Sequence, residues 1–200
     1  MPPGFTFAKI GGSSRVKESQ KHSARITAVL TIRGDGTKLP LLIIVKGHPG
    51  GDIEKTERPT YPEGPVYAVQ KNAYMNQRIW SLYLREVLKP DIDCPSVVLA
   101  DNLNCHVSSK SYKIIEDEFF CGVYLHPLPA NTTSILQPFD VGFMGPFKKM
   151  CRTEWIKEEK VVTAAEKRLA TIKRSIKVWN DMKQETVRKS FEKALNIFEI

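Results

Sequence analysis

Two aspartates, Asp101 and Asp140, stand where a carboxylate could take part in chemistry. Asp101 ends the short apolar run 97–100, which follows Pro95 and contains two β-branched valines, a pattern typical of a buried strand. Asp140 follows the proline-bounded loop 128–138 and begins a predicted helix. Because ligands sit at the carboxyl ends of strands in open α/β sheets, the two carboxylates could hold a divalent metal ion there. Two such ions can stabilise the attacking and leaving oxygens of a phosphodiester displacement.

Each of these residues also has a purely structural interpretation. Asp140 could serve only as a negative charge in the first turn of a helix, where it interacts favourably with the helix dipole. Asp101 could be an ordinary turn residue, and His106, five positions later, could be an ordinary surface histidine. Acidic residues are common at the ends of strands and helices, so residue type and position alone leave both interpretations open.

The residues around both aspartates resemble the catalytic core of the DDE superfamily endonucleases. The run from Asn131 to Asp140 carries more of this resemblance than any single aspartate does. The branch resembled is the pogo/Tigger type of the Tc1/mariner transposases, which also gave rise to domesticated proteins, and the resemblance extends from about Pro2 to the end. The matching positions are Asp101-Asn102, His106, Leu128-Pro129, Asn131-Thr132-Thr133-Ser134, Gln137-Pro138 and Asp140-x-Gly142.

This resemblance implies a ribonuclease-H-like fold and a metal-dependent activity on DNA. In the family, three carboxylates hold two Mg²⁺ ions for DNA cleavage and strand transfer. Matched motif to motif, Asp101 is the second carboxylate and Asp140 the third, so both are expected to be catalytic residues and metal ligands. The resemblance further implies that Asn102 and His106 either support these ligands or contact a phosphate.

The resemblance also implies that the first carboxylate and the first strand are missing from this sequence. The family's first carboxylate lies shortly before a proline-rich turn like Met1–Gly4, and this sequence starts at that turn. The earliest aspartate, Asp35, lies between Gly34 and Gly36 in a hairpin signal. With one hard-cation ligand missing, we expect Mg²⁺ or Mn²⁺ to bind weakly and the chain not to cut DNA. The alternative is a domesticated, non-catalytic module that binds nucleic acid or protein.

The charge of the chain favours DNA as its partner. The formal net charge is +8 and the pI is near 9.3, which favour a polyanionic ligand, although many basic proteins bind none. No apolar run approaches the roughly 20 residues that span a bilayer, so no membrane partner is expected. A homo-oligomer stays possible. The residues expected to contact phosphates are Arg15, Lys17, Lys21, Arg25, Lys148 and Lys149, although a solvated basic surface explains any one of them equally simply.

The four cysteines show no C-x-x-C spacing and therefore indicate neither a zinc site nor a disulfide framework. Reduced thiols are the rule in the cytosol and nucleus. Together with the DNA chemistry that the resemblance implies, this predicts a nuclear protein.

The elements that would position the aspartates follow an α/β pattern, which we interpret as a mixed sheet flanked by helices. We expect a basic arm at 1–25, a catalytic-core domain at 24–160 and a helical extension of the same domain at 161–200. In the core, a hairpin pairs strands 24–33 and 39–46, and a long loop follows at 47–67. The remaining elements are helices at 77–88, 108–119 and 139–158, a strand at 122–126, and two helices in the extension, from about 161 and at 187–198.

Overall fold

The computed structural model of the chain describes residues 25–129 and 132–195, apart from the side chains of residues 133 and 134. Within these residues the structure is mixed α/β, with five strands and six α-helices; three strands come first and four helices come last. The strands are β1 (Ile26–Val29), β2 (Leu42–Lys46), β3 (Val66–Gln70), β4 (Ser96–Ala100) and β5 (Val123–Pro127). The helices are α1 (Gln77–Tyr83), α2 (Ser109–Glu118), α3 (Thr133–Leu136), α4 (Met144–Lys157), α5 (Ala164–Asp181) and α6 (Gln184–Leu195).

The strands form two sheets within the described residues. In the first sheet, β2 lies between β1 and β3; it pairs with β1 antiparallel and with β3 parallel. In the second sheet, β4 pairs with β5 in parallel, with Val97 opposite Tyr124. The predicted hairpin is confirmed, because Ile26 pairs with Val45 and Gly36 turns the chain with a φ of +96°, which favours glycine.

Strand β2 is buried on both faces and separates two hydrophobic cores. Leu42 and Ile44 on one face pack into a core with α1 and α2. Ile43 and Val45 on the other face pack into a core with α4, α5 and α6. A continuous apolar run, rather than an alternating one, is what a strand covered by helices on both faces requires.

Helix boundaries follow local capping chemistry, as the sequence indicates. The Asn76 side chain accepts a hydrogen bond from the Ile79 amide at 3.0 Å and begins α1. The helix continues as a π-helical turn, Leu84–Leu88, before Pro90 ends the predicted segment. Ser108 caps α2 in the same way, at 3.2 Å from the Ser111 amide. The predicted helices at 77–88 and 108–119 are therefore confirmed.

The segment 47–67 is more ordered than the predicted loop. It contains a π-helical turn, Ile53–Glu57, and a 3₁₀ turn, Arg58–Thr60, and it leads directly into β3. The prediction of a plain loop is wrong here because four prolines and two adjacent glycines dominate the local pattern. The buried ion pair between Glu57 and Arg168 of α5 holds these turns against the second core.

The apolar run before Asp101 is a strand, as predicted, but only one of its faces is buried. Ala100 is 8% exposed, whereas Val97 is 64% exposed, and its partner Tyr124 on β5 is 71% exposed. Helices cover one face of this sheet and leave the other open. The prediction of a buried strand is therefore wrong on that face.

The last two helices close the second core. Ile172 and Trp179 of α5 and Val187 of α6 are buried there, as the i, i+3, i+7 spacing indicates. A Thr163–Glu166 capping box begins α5. Helix α6 begins three residues earlier than predicted, and residues 196–198 of the predicted helix lie outside the described part of the chain. In the same part, every helix is too short or too polar to cross a membrane.

Candidate active site

A cleft of about 640 Å³ lies between the two sheets. Residues of β1 line one side and residues of β4 line the other. Neither strand has a second partner on this side among the described residues, since β1 pairs with β2 and β4 with β5. The floor is apolar and includes Trp80 and Tyr83 of α1.

Both predicted carboxylates lie on this cleft. Asp101 follows the last residue of β4, and Asp140 lies in the π-helical turn Phe139–Phe143 that leads into α4. Asp140 is exposed, and the Asp101 side chain is 48% exposed. Although 140 − 101 = 39 positions separate them along the chain, the fold brings both to one cleft. Neither forms an ion pair with a lysine or arginine of the described residues.

His106 lies beside Asp101 and restrains its carboxylate. Nδ1 of His106 lies 2.7 Å from Oδ1 of Asp101, and the Leu103 amide donates to the same oxygen at 3.3 Å. The histidine side chain is only 12% exposed, and its ring packs against Trp80 with 3.9 Å between centroids. An imidazole with a proton on Nδ1 donates to the carboxylate and fixes its orientation. The alternative of an ordinary surface histidine is therefore wrong.

Asn102 connects the two loops that carry the carboxylates. Its side-chain amide donates to the carbonyl of Leu128 at 2.5 Å, and the Leu128 amide donates to Ala100 at 2.8 Å. These two hydrogen bonds tie the end of β4 to the start of the loop leading to Asp140. The expected role of Asn102 in supporting the site fits this position, whereas contact with a phosphate stays a prediction.

The loop before Asp140 is held by its own backbone and side chains. Thr132 donates to the Pro129 carbonyl at 2.7 Å, and the Asp140 amide donates to the Gln137 carbonyl at 3.0 Å. Gln137 also lines the cleft. Asn131 of the same motif lies outside the described residues.

The packing around Gly142 explains why the motif Asp140-x-Gly142 has a glycine at this position. A Cβ at this position would lie 2.9 Å from the Cα of Ser190 on α6, closer than real Cβ atoms approach a backbone. The turn that carries Asp140 therefore packs directly on the backbone of α6, and only a residue without a side chain permits this approach.

The predicted basic contacts are placed in part. Lys148 and Lys149 are exposed on α4, and Lys148 follows the cleft residue Met144 by one helical turn. Arg25 is exposed at the beginning of the first strand. Arg15, Lys17 and Lys21 lie outside the described part of the chain.

Sequence reasoning did not assign Trp80 to the site. Its helical spacing predicted a core residue, which it is, at 4% exposure. Yet it also forms the surface against which His106 packs. No local signal distinguishes such a tryptophan from any other core residue, because the contact joins positions 26 residues apart (106 − 80 = 26).

The carboxylates on the cleft are suitable ligands for a hard cation such as Mg²⁺, but they are few. In the part of the chain that the structure describes, no group of three or more His, Cys, Asp or Glu side chains is arranged to hold a metal ion. Asp35 is used elsewhere, since its carboxylate accepts from the Thr37 amide at 2.7 Å in the hairpin. Two partly exposed carboxylates on one cleft still offer the oxygen ligands that Mg²⁺ takes alongside water and phosphate.

Comparison with known proteins agrees with these features. The DDE superfamily endonuclease family matches residues 23–191, which is well over half of the 200-residue chain and includes both aspartates. The comparisons with curated proteins and with solved structures found no match. The chain belongs to the DDE superfamily endonuclease family.

Proposed function

We propose that this chain binds DNA at the cleft that carries Asp101 and Asp140, and that the cleft derives from a metal-dependent transposase of the pogo/Tigger type with a ribonuclease-H-like fold. One observation carries this proposal. Two carboxylates far apart in the sequence lie on the same cleft, Asp101 directly after β4 and Asp140 in the turn that leads into α4. Membership of an endonuclease family supports the same chemistry.

Asp101 and Asp140 would hold Mg²⁺ or Mn²⁺ in this proposal. Both side chains are accessible, both are hard oxygen ligands, and neither is neutralised by a described lysine or arginine. When bound, the metal would activate a water for attack on a phosphodiester and stabilise the leaving oxygen. His106 orients the Asp101 carboxylate, and Asn102 keeps the two carboxylate loops together.

We further propose that the 200-residue chain binds DNA without cutting it. A metal held by two protein carboxylates binds more weakly than one held by three, and charge stabilisation in the transition state is usually the largest catalytic contribution. The small donor set among the described residues supports this proposal. A nuclear location would follow from a DNA ligand.

Binding and cleavage can be separated in one experiment. The chain is mixed with supercoiled plasmid in Mg²⁺ or Mn²⁺, and binding and nicking are followed on gels at several salt concentrations. We expect salt-sensitive binding, because Lys and Arg contacts release counterions from the phosphates. We expect no nicking above that of Asp101→Asn or Asp140→Asn.

Mn²⁺ binding provides a readout that does not depend on activity. Electron paramagnetic resonance of free Mn²⁺ should show weak binding to the wild type and a further loss in Asp101→Asn. Asp117→Asn is a matched control, because Asp117 is exposed on α2 and forms no described ion pair. Equal Mn²⁺ affinity in all three proteins would contradict the metal site. Robust nicking that Asp101→Asn abolishes would contradict the proposal that this chain does not cut DNA.

A second candidate is a domesticated module that binds nucleic acid or protein without catalysis. The small donor set favours it over an active nuclease. DNA binding that is unchanged by divalent ions and by both Asp→Asn variants would support this candidate.

A further inference from the structure

A short loop between β3 and α1, residues 71–75, exposes an aromatic ring next in sequence to the cleft residue Met75. Tyr74 is 50% exposed. The Arg25 guanidinium lies over the ring, with Cζ 4.2 Å from its centroid, and Nη1 donates to the tyrosine hydroxyl at 2.7 Å. The guanidinium thus covers one face of the ring and adds a positive charge to this exposed surface.

The loop that carries Tyr74 is held in place by several hydrogen bonds. The Gln70 side chain accepts from the Asn72 amide at 2.6 Å and from the Tyr74 amide at 3.1 Å. Thr27 of β1 donates to the Ala73 carbonyl at 2.7 Å. The exposed ring is therefore fixed before any ligand arrives, which lowers the entropic cost of binding.

Ala73 adopts a backbone conformation that few residues with a side chain adopt. Its φ is +55°, the only positive value of a residue other than glycine in the described chain. Its methyl group is fully buried in the first core, and the next residue, Tyr74, points outward. Such strained positions persist only where the surrounding contacts enforce them, and they are concentrated at functional sites.

Three positive charges lie at the end of the first sheet from which this loop leaves. Arg25, Lys46 and Lys71 are exposed and lie at the amino end of β1 and at the carboxyl ends of β2 and β3. Within the described residues none of the three forms an ion pair. Neighbouring charges of one sign repel, and a bound phosphate would neutralise them.

The residue that follows Tyr74 connects this surface to the cleft. Met75 lines the cleft, as Asp101 and Asp140 do. A DNA strand with one base on Tyr74 would therefore have the cleft beside it.

We propose that Tyr74 and Arg25 form a stacking platform for an unpaired base of DNA beside the cleft. Aromatic rings bind bases without sequence preference because every base has a π-face, and an arginine on the ring adds cation–π attraction. The substrate class is a duplex with an unpaired or frayed end. The inference rests on the proposed DNA-binding function and specifies the DNA form that this function recognises.

The experiment measures binding of the full chain to two DNAs in EDTA. One is a blunt duplex, and the other carries a single-stranded overhang with 2-aminopurine, whose fluorescence falls on stacking. We expect tighter binding to the overhang and quenching of the probe. Tyr74→Ala should abolish the quenching and weaken overhang binding by roughly five- to a hundredfold, the range for one stacked base.

Two further variants keep the result interpretable. Tyr74→Phe preserves the ring and should retain the quenching and the preference for the overhang. Tyr124→Ala removes an even more exposed tyrosine from the open face of the second sheet and should leave both unchanged. Thermal unfolding of each variant checks that the fold is intact.

Each contrary result has a distinct meaning. If Tyr74→Ala matches the wild type, or if Tyr124→Ala loses as much, the stacking platform is overturned while DNA binding stands. If the wild type binds neither DNA, the proposed function itself fails, and the platform fails with it.

Discussion

Asp101 is oriented by its neighbours on the same loop. His106 and the Leu103 amide both contact Oδ1, so the second oxygen has no described protein partner. This division suits a ligand that approaches from the cleft, because one oxygen fixes the carboxylate and the other can bind. Losing the histidine would release the side chain without changing its charge.

The pKa of the Cys105 thiol depends on the charge of Asp101. Burial raises the pKa of the Cys105 thiol above its ordinary value of 9.0, and the negative charge of Asp101 raises this pKa further. Asp101→Asn removes the second cause, so the pKa should fall and more thiolate should be present at pH 8.5. We therefore expect faster alkylation of Cys105 by iodoacetamide in this variant, measured by peptide mass spectrometry. Cys94 is exposed, and its rate is the internal control. Equal Cys105 rates in both proteins would show that the Asp101 charge is not felt there.

Sequence reasoning identified the residues that a motif carries, and it missed those that only the fold brings together. Asp101, Asn102, His106 and Asp140 all belong to motifs, and all four lie at or beside the cleft. Tyr74 belongs to none. Its pairing with Arg25 joins positions 49 residues apart, a separation at which single-sequence patterns predict no contact.

At the scale of the elements, the position of Asp140 depends on how its helical turn packs on α6. The approach is so close that the Gly142 position has no room for a side chain. Such a contact cannot be predicted from local sequence, since the partner, Ser190, lies 48 positions later (190 − 142 = 48). The sequence shows the glycine of the motif, but only the structure shows the contact with Ser190 that requires it.

Gly142→Ala should therefore both destabilise the protein and displace Asp140. The added methyl would meet the backbone of α6, and overpacking of this kind costs about 1–3 kcal/mol. Urea unfolding measures the change in the free energy of unfolding. Gly145→Ala is the matched control, because a Cβ there meets nothing within 4 Å and alanine favours a helix by up to about 1 kcal/mol. Equal stability of the two variants would show that the contact at Ser190 is loose.

Among the elements, β3 shows where local patterns fail. Its five residues follow a proline-rich stretch, and these prolines favoured the prediction of a loop over that of a strand. By contrast, β2 and the segment from α1 through Leu88 were predictable because their apolar residues follow clear patterns and their ends carry turn or capping residues. The open face of β4 depends on which helices cover which sheet, and this is a property of the assembled fold.

At the scale of the whole molecule, each core contains a tyrosine that resists ionisation. Burial raises the pKa of Tyr83 in the first core to about 12, and burial also raises the pKa of Tyr67 in the second core to about 12. The Tyr83 hydroxyl shares a hydrogen bond with Thr31 at 2.8 Å, which joins α1 to the residues after β1. Both hydroxyl groups are held in the protonated form by the folded state.

The fold should therefore lose stability in alkaline solution. Between pH 10 and about 12 the unfolded chain releases these tyrosine protons while the folded chain retains them, so the free energy of unfolding falls as pH rises. For Tyr83 the slope approaches about 1.4 kcal/mol per pH unit. Urea unfolding from pH 9 to 11.5 measures this dependence. Tyr83→Phe should be less stable at neutral pH yet show a shallower decline. An unchanged decline in this variant would assign the alkaline effect to other groups.

The two sheets end on opposite sides of the cleft, where the edges of β1 and β4 have no strand partner among the described residues. Amides and carbonyls along such edges readily pair with any extended polypeptide that reaches them. A strand that entered here could be bonded from both sides and would fuse the two sheets into one. We therefore expect the protein to self-associate at high concentration through the side that carries Asp101 and Asp140. Mild denaturants, or charged substitutions along these strand edges, should suppress this self-association.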